Sequence, residues 1–152
     1  MSLSGKIRTL ASYPPRRWGD LVVAAVMARR IERALAGGGV QRAADLARTS
    51  VVMDGKAAPV GRLDEAPITQ REREKIETSW RLLKHGPFDE TCLRRALVGG
   101  YFVRSVPAVL RIGVSKVEGT VSAHAWLEVG GVGLDPVGAG EYAMLQAPEG
   151  EK

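Results

Sequence analysis

Between residues 89 and 136 the sequence switches from helical to alternating hydrophobic spacing, and this switch limits the possible folds more than any other feature. Asp89-Glu90-Thr91-Cys92 reads as a helix start with Asp89 as N-cap, and it carries the only cysteine of the chain. Leu93, Leu97 and Tyr101 form the core face of that helix, while Cys92, Ala96 and Gly99 form a small-residue face able to approach a sheet closely. Gly99-Gly100 weakens the helix by up to about 1 kcal/mol per glycine relative to alanine, and close packing compensates. A Gly- and Val-rich strand follows over 107–115, then a tight connection at Glu118-Gly119 and a strand over 123–129. Gly130-Gly131 turns the chain into a third strand over 132–135, closed by Asp135-Pro136. One helix followed by paired strands predicts an α+β fold.

The chemistry sits on the same elements. Alternation along the middle strand puts His124, Trp126 and Glu128 on one face and Ala123, Ala125, Leu127 and Val129 on the other, with alanines leaving room around the imidazole. The return strand brings Asp135 beside the histidine, where a carboxylate accepts the ring N–H and stabilises the imidazolium. Cys92 falls in the first turn of its helix, where free amides and the helix dipole favour a thiolate. Singly, each has a plain structural reading: a buried cysteine, a satisfied core histidine, an acid opening a turn. Together, in this order, Cys92, His124 and Asp135 read as a thiol catalytic triad.

The N-terminal part is expected to be helical. Pro14-Pro15 disfavours helix before it, and Arg16, Arg17 and Trp18 form a basic-aromatic cluster. Asp20 is a plausible N-cap for a helix over 21–35 with Ala24, Ala28, Ile31 and Leu35 on one stripe, ended by Gly37-Gly38-Gly39. Its first half is apolar nearly all round, so it is either buried on several sides or docks on something. A shorter helix over 40–49 offers Ala43, Ala44 and Ala47 for close packing. Asp54-Gly55, Pro59, Gly61 and Pro67 mark a loop, either a surface connection or a flap. Thr69-Gln70-Arg71-Glu72 is a capping box opening a helix to about residue 84, with Ile76, Trp80 and Leu83 inward and the charge run from Arg71 to Lys75 facing water. Gly86-Pro87 stops that helix, and His85 in the break suits its negative end.

Composition bounds the class. The 152 residues, 45% hydrophobic and 26% charged, suit a single domain over 1–152: a helical part and loop over 1–67, a core over 68–146 and a polar tail over 147–152. One cysteine forms no internal disulfide and no secretory leader opens the chain, so a cytoplasmic location is expected. The longest apolar run, residues 21–28, is far short of the roughly 20 residues that span a bilayer, so no stable membrane insertion is expected. The net charge of +5 is scattered among acids without a nucleic-acid motif, and no nucleic-acid partner is expected. One Cys and two His at this spacing make no zinc site, so neither metal nor cofactor is implied.

Pro87-Phe88-Asp89-Glu90-Thr91-Cys92-Leu93, Pro107-Ala108-Val109-Leu110-Arg111-Ile112-Gly113-Val114 and Ala123-His124-Ala125-Trp126-Leu127-Glu128-Val129, followed by Asp135-Pro136, resemble the transglutaminase-like, papain-related cysteine protease superfamily. More narrowly, they resemble the stand-alone leader peptidases of lasso-peptide biosynthesis, most strongly over 87–136, with Phe88 where Trp is usual. The resemblance implies a transglutaminase-like core in which one Cys-bearing helix packs on a small antiparallel sheet. It implies Cys92 as nucleophile, His124 as general base and acid, and Asp135 as orienting acid. It also implies partners: a precursor peptide with its leader, a separate winged-helix leader-recognition protein, and a lasso cyclase. Two other classes stay open, acyl transfer to an amine on the same fold and a non-catalytic interaction module.

Overall fold

The computed structural model describes residues 15–53, 55–117, 120–134 and 143–144. Asp135, the Glu118-Gly119 connection and the polar tail over 147–152 lie outside the described residues. A 3-10 turn, Pro15–Arg17, leads into α1, Trp18–Ala47. Then come β1, Ser50–Val52; α2, Gln70–His85; α3, Cys92–Phe102; β2, Ala108–Val117; β3, Thr120–Val129; β4, Val132–Leu134; and β5, Ala143–Met144. The fold is α+β, as the spacing predicts.

The N-terminal part departs from expectation at two points. Asp20 is not a cap: the helix opens at Trp18, and Asp20 is a buried first-turn acid 3.0 Å from the Arg71 guanidinium of α2. The glycine run does not separate two helices either. α1 kinks at Gly39 (φ 73°, ψ −169°) and resumes to Ala47, where Arg48 in the left-handed region donates its N–H to Ala44 and Asp45 carbonyls. Ala43, Ala44 and Ala47 are fully buried, so tertiary packing carries the helix past glycines that would end an isolated one. Ala24, Ala28 and Ile31 are buried as expected, but Val22, Val23 and Val26 face solvent.

The sheet is mixed. β3 lies antiparallel to β2 along its whole length, with Ile112 opposite Ala125 and Gly113 opposite His124. β4 returns antiparallel to β3, Leu127 opposite Leu134. On the other edge of β2, β1 pairs parallel along Val109 to Arg111, and β5 pairs antiparallel at Gly113 and Val114. β1 is not foreshadowed by the sequence pattern, because three residues are too few to show a period. The loop after it is held to the sheet: Val60 bridges Gly133, the Gly61 N–H donates to the Gly133 carbonyl (3.0 Å), and the Gly133 N–H donates to the Pro59 carbonyl (2.8 Å).

α2 opens with the expected capping box. Its Glu72, however, is buried and not part of a water-facing charge run. One oxygen accepts from the Arg104 and Ser105 amides; the other accepts from the Ser105 hydroxyl (2.7 Å) and the Thr69 amide and hydroxyl (both 2.8 Å). A single carboxylate thus joins the start of α2 to the α3–β2 connection.

α3 lies over the sheet at glycine contact distance. A Cβ on Gly100 would collide with the Thr49 methyl just before β1 and press on the Leu127 side chain of β3, while one on Gly99 would collide with the Trp80 indole of α2. The small-residue approach to the sheet is therefore made by Gly100, and Gly99 serves the helix–helix contact. Gly100→Val is expected to destabilise the protein by about 2 to 3 kcal/mol through overpacking, read as a lower urea midpoint at unchanged slope.

Candidate active site

Thr91, not Asp89, is the N-cap of α3: its hydroxyl accepts the Arg94 N–H (3.3 Å) and its carbonyl accepts the Arg95 N–H (2.9 Å). Asp89 lies further out, where its carboxylate pairs with the Arg94 guanidinium (3.6 Å). The shift has a chemical consequence. Cys92 becomes the first helical residue, half-buried, and the amides of Cys92 and Leu93 have no acceptor within the helix. An oxyanion formed on an acyl carbon bonded to Cys92 would meet these free amides.

His124 is supplied by β3. The residue directly opposite it is Gly113, which puts no side chain beside the imidazole at that position. His124 is buried and lies parallel-offset to Trp126, ring centroids 5.9 Å apart at 23°. The Trp126 indole N–H donates to Glu128 at 3.4 Å, in keeping with the alternation that puts all three residues on one face. Glu128 is buried and accepts from the Arg111 guanidinium (2.8 Å) and the Ala58 N–H (2.8 Å), and Arg111 also donates to the Lys56 carbonyl (3.1 Å). Sequence spacing finds Glu128 but not its partners, since Ala58 lies 70 residues away. The effect is to hold the indole against which His124 rests.

Cys92 and His124 line one cavity of about 410 Å³. Trp80, Ala125, Trp126 and Leu134 form its apolar wall, and Lys84, Glu90 and Arg95 its polar side. Leu134, the residue before Asp135, is part of that wall; Asp135 itself lies outside the described residues. Trp80 does more than fill core space. It donates its indole N–H to the Arg95 carbonyl (3.0 Å), carries the Arg95 guanidinium 4.4 Å above its ring, and with Leu134 lines a second cavity of about 460 Å³ beside Val60 and Leu63. Arg95 is held in turn by Glu90 at 3.1 Å. The cysteine cavity and the loop cavity therefore share two walls. Among the described residues no three His, Cys, Asp or Glu are grouped to hold a metal ion, and no helix is long and apolar enough to cross a membrane.

A thiol at a helix N-terminus and an imidazole on an adjoining strand, lining one cavity, is the arrangement that acyl chemistry through a cysteine requires. Residues 21–146 match the family model described as the transglutaminase-like superfamily, and the chain belongs to that superfamily, which commonly holds cysteine peptidases and transferases. No curated protein and no solved structure matches the chain.

Proposed function

We propose that the protein is a cysteine peptidase that removes the leader from a ribosomally made lasso-peptide precursor. The cysteine-enzyme part of this reading is supported by Cys92, at the amide-rich start of α3, lining the same cavity as His124, and the lasso-peptide part by the resemblance of residues 87–136. In the proposed reaction the Cys92 thiolate adds to the scissile carbonyl of the peptide. The oxyanion is received by the Cys92 amide, and His124 delivers its proton to the departing amine as the C–N bond breaks. A thioester to the leader remains. Water, deprotonated by His124, then adds to the thioester, releasing the leader as a carboxylic acid and restoring the thiol. Asp135 is assigned the orienting role toward His124. The leader is brought by a separate winged-helix recognition protein, and the freed core N-terminus passes to a lasso cyclase. The whole chain acts as one domain in the cytoplasm.

Incubating a precursor peptide with this protein and its recognition partner, followed by mass spectrometry, tests the reading. Cleavage into leader acid and core amine is expected, together with alkylation of Cys92 by a peptidyl chloromethyl ketone. A leader product carrying an added amine assigns acyl transfer instead. Absence of both cleavage and alkylation defeats the enzymatic reading.

A further inference from the structure

The solvent face of α1 holds two features that the chemistry at Cys92 does not use. With 3.6 residues per turn, Trp18, Val22, Val26, Arg29 and Arg33 fall within one narrow stripe, flanked by Val23 and Arg30. Trp18, Val22, Val23 and Val26 are 48%, 60%, 42% and 51% exposed, so the first half of the stripe is an open apolar surface. The second half is basic. Arg29 is already committed, paired with Glu32 at 3.6 Å and lying over the Phe88 ring. The side chains of Arg30, Arg33 and Arg42 make no hydrogen bond or ion pair among the described residues, yet they line one concavity of about 470 Å³ with Ala34 and Leu46.

The glycine kink shapes that concavity. Arg42 lies beyond it, and its stem folds over Gly38 into the space a Cβ would occupy. Nearby acids are engaged elsewhere: Glu32 by Arg29 and Arg94, and Asp45 by the Gln41 amide. We propose that this face is a docking site for an acidic amphipathic peptide segment of a partner protein, its apolar side chains lying on Trp18, Val22 and Val26 and its carboxylates on Arg30, Arg33 and Arg42. Guanidinium groups meet carboxylates through paired N–H donors, which suits three arginines around one hollow. A bilayer fits less well, because a helix lying on lipid needs basic side chains flanking its apolar face along its length, whereas here the two halves follow each other and the basic one is concave. Nucleic acid leaves the apolar half unused. The proposal is independent of the reaction at Cys92.

The test is fluorescence anisotropy with a labelled synthetic peptide bearing leucines at helical spacing in one half and glutamates in the other. A twin with lysines for glutamates, phosphatidylserine vesicles and single-stranded oligothymidylate are run beside it. The acidic peptide is expected to bind wild type, and to bind about tenfold or more weakly to both the Arg30→Glu/Arg33→Glu and the Val22→Asp/Val26→Asp variants. Alkylation of the single cysteine by iodoacetamide at an unchanged rate shows that both variants keep their fold. The proposal is overturned by equal binding of the lysine twin, by wild-type affinity in both variants, or by no binding at about 1 mM peptide. Binding of vesicles or oligonucleotide without the acidic peptide overturns it in favour of that ligand.

Discussion

Replacing Cys92 with alanine is expected to lower precursor cleavage by about four orders of magnitude or more, and His124→Ala by a similar factor. The thiol supplies the bond to the acyl group, so no other side chain substitutes for it. The imidazole moves the protons at both steps, so without it the amine departs as a poor leaving group. Because the two act as a unit, the double variant is expected to be no slower than the slower single one. Stability separates this from a folding defect. Cys92 is half-buried at the start of its helix, and its truncation to alanine removes one sulfur from the wall of an open cavity. The urea midpoint of Cys92→Ala is therefore expected to stay near wild type, and residual cleavage at the wild-type rate would end the proposal that Cys92 is the nucleophile.

What was legible in the sequence follows from how far apart the cooperating residues lie. The capping box at Thr69 and Glu72 is local, and the expected reciprocal bonds form. The β3 alternation is local too, and His124, Trp126 and Glu128 touch one another in series. The structure departs from expectation where a local signal has a competitor, either a neighbouring residue or a distant packing contact. Asp89 and Thr91 are both good N-caps, and Asp89 sits with Arg94 while Thr91 closes the first turn. The glycine run at 37–39 is a helix stop by propensity, but buried alanines on the far side carry α1 through it. β1 owes its existence to pairing with residues 59 positions later, Ser50 against Val109, and three residues show no period by themselves. Trp80 was legible as an inward residue; its place between two cavities depends on α3 and on the loop after β1. Placing Cys92 near His124 takes three elements together, and both residues line one cavity. Asp135, the third residue in that reading, lies outside the described residues.

Glu72→Gln is expected to produce the second large effect, on stability. Glu72 sits in a charge run that propensity assigns to water, yet it is buried and surrounded by donors from Thr69, Arg104 and Ser105. Burial pushes its carboxyl up, but the hydrogen bonds from Ser105, Thr69 and Arg104 outweigh that and bring it from 4.5 down to about 2. A depressed folded-state value means that the ionised form favours the folded protein. The contribution is fully present above about pH 4.5 and is lost progressively as pH falls towards 2. A shift of that size corresponds to on the order of 3 kcal/mol. In Glu72→Gln one acceptor oxygen becomes an NH₂ group that confronts backbone N–H donors, so a loss of about 2 to 4 kcal/mol at pH 7 is expected. The pH dependence then distinguishes charge from shape. Urea unfolding of wild type and variant should differ most at pH 7 and converge as the wild-type carboxylate protonates below pH 4.5, whereas a constant gap down to pH 2 would assign the loss to packing. Since Glu72 ties α2, which carries Trp80 and Lys84 into the Cys92 cavity, to the connection leaving α3, the variant should also cleave more slowly at pH 7 even at temperatures where it remains folded. Unchanged cleavage by the folded variant would confine Glu72 to a purely structural role.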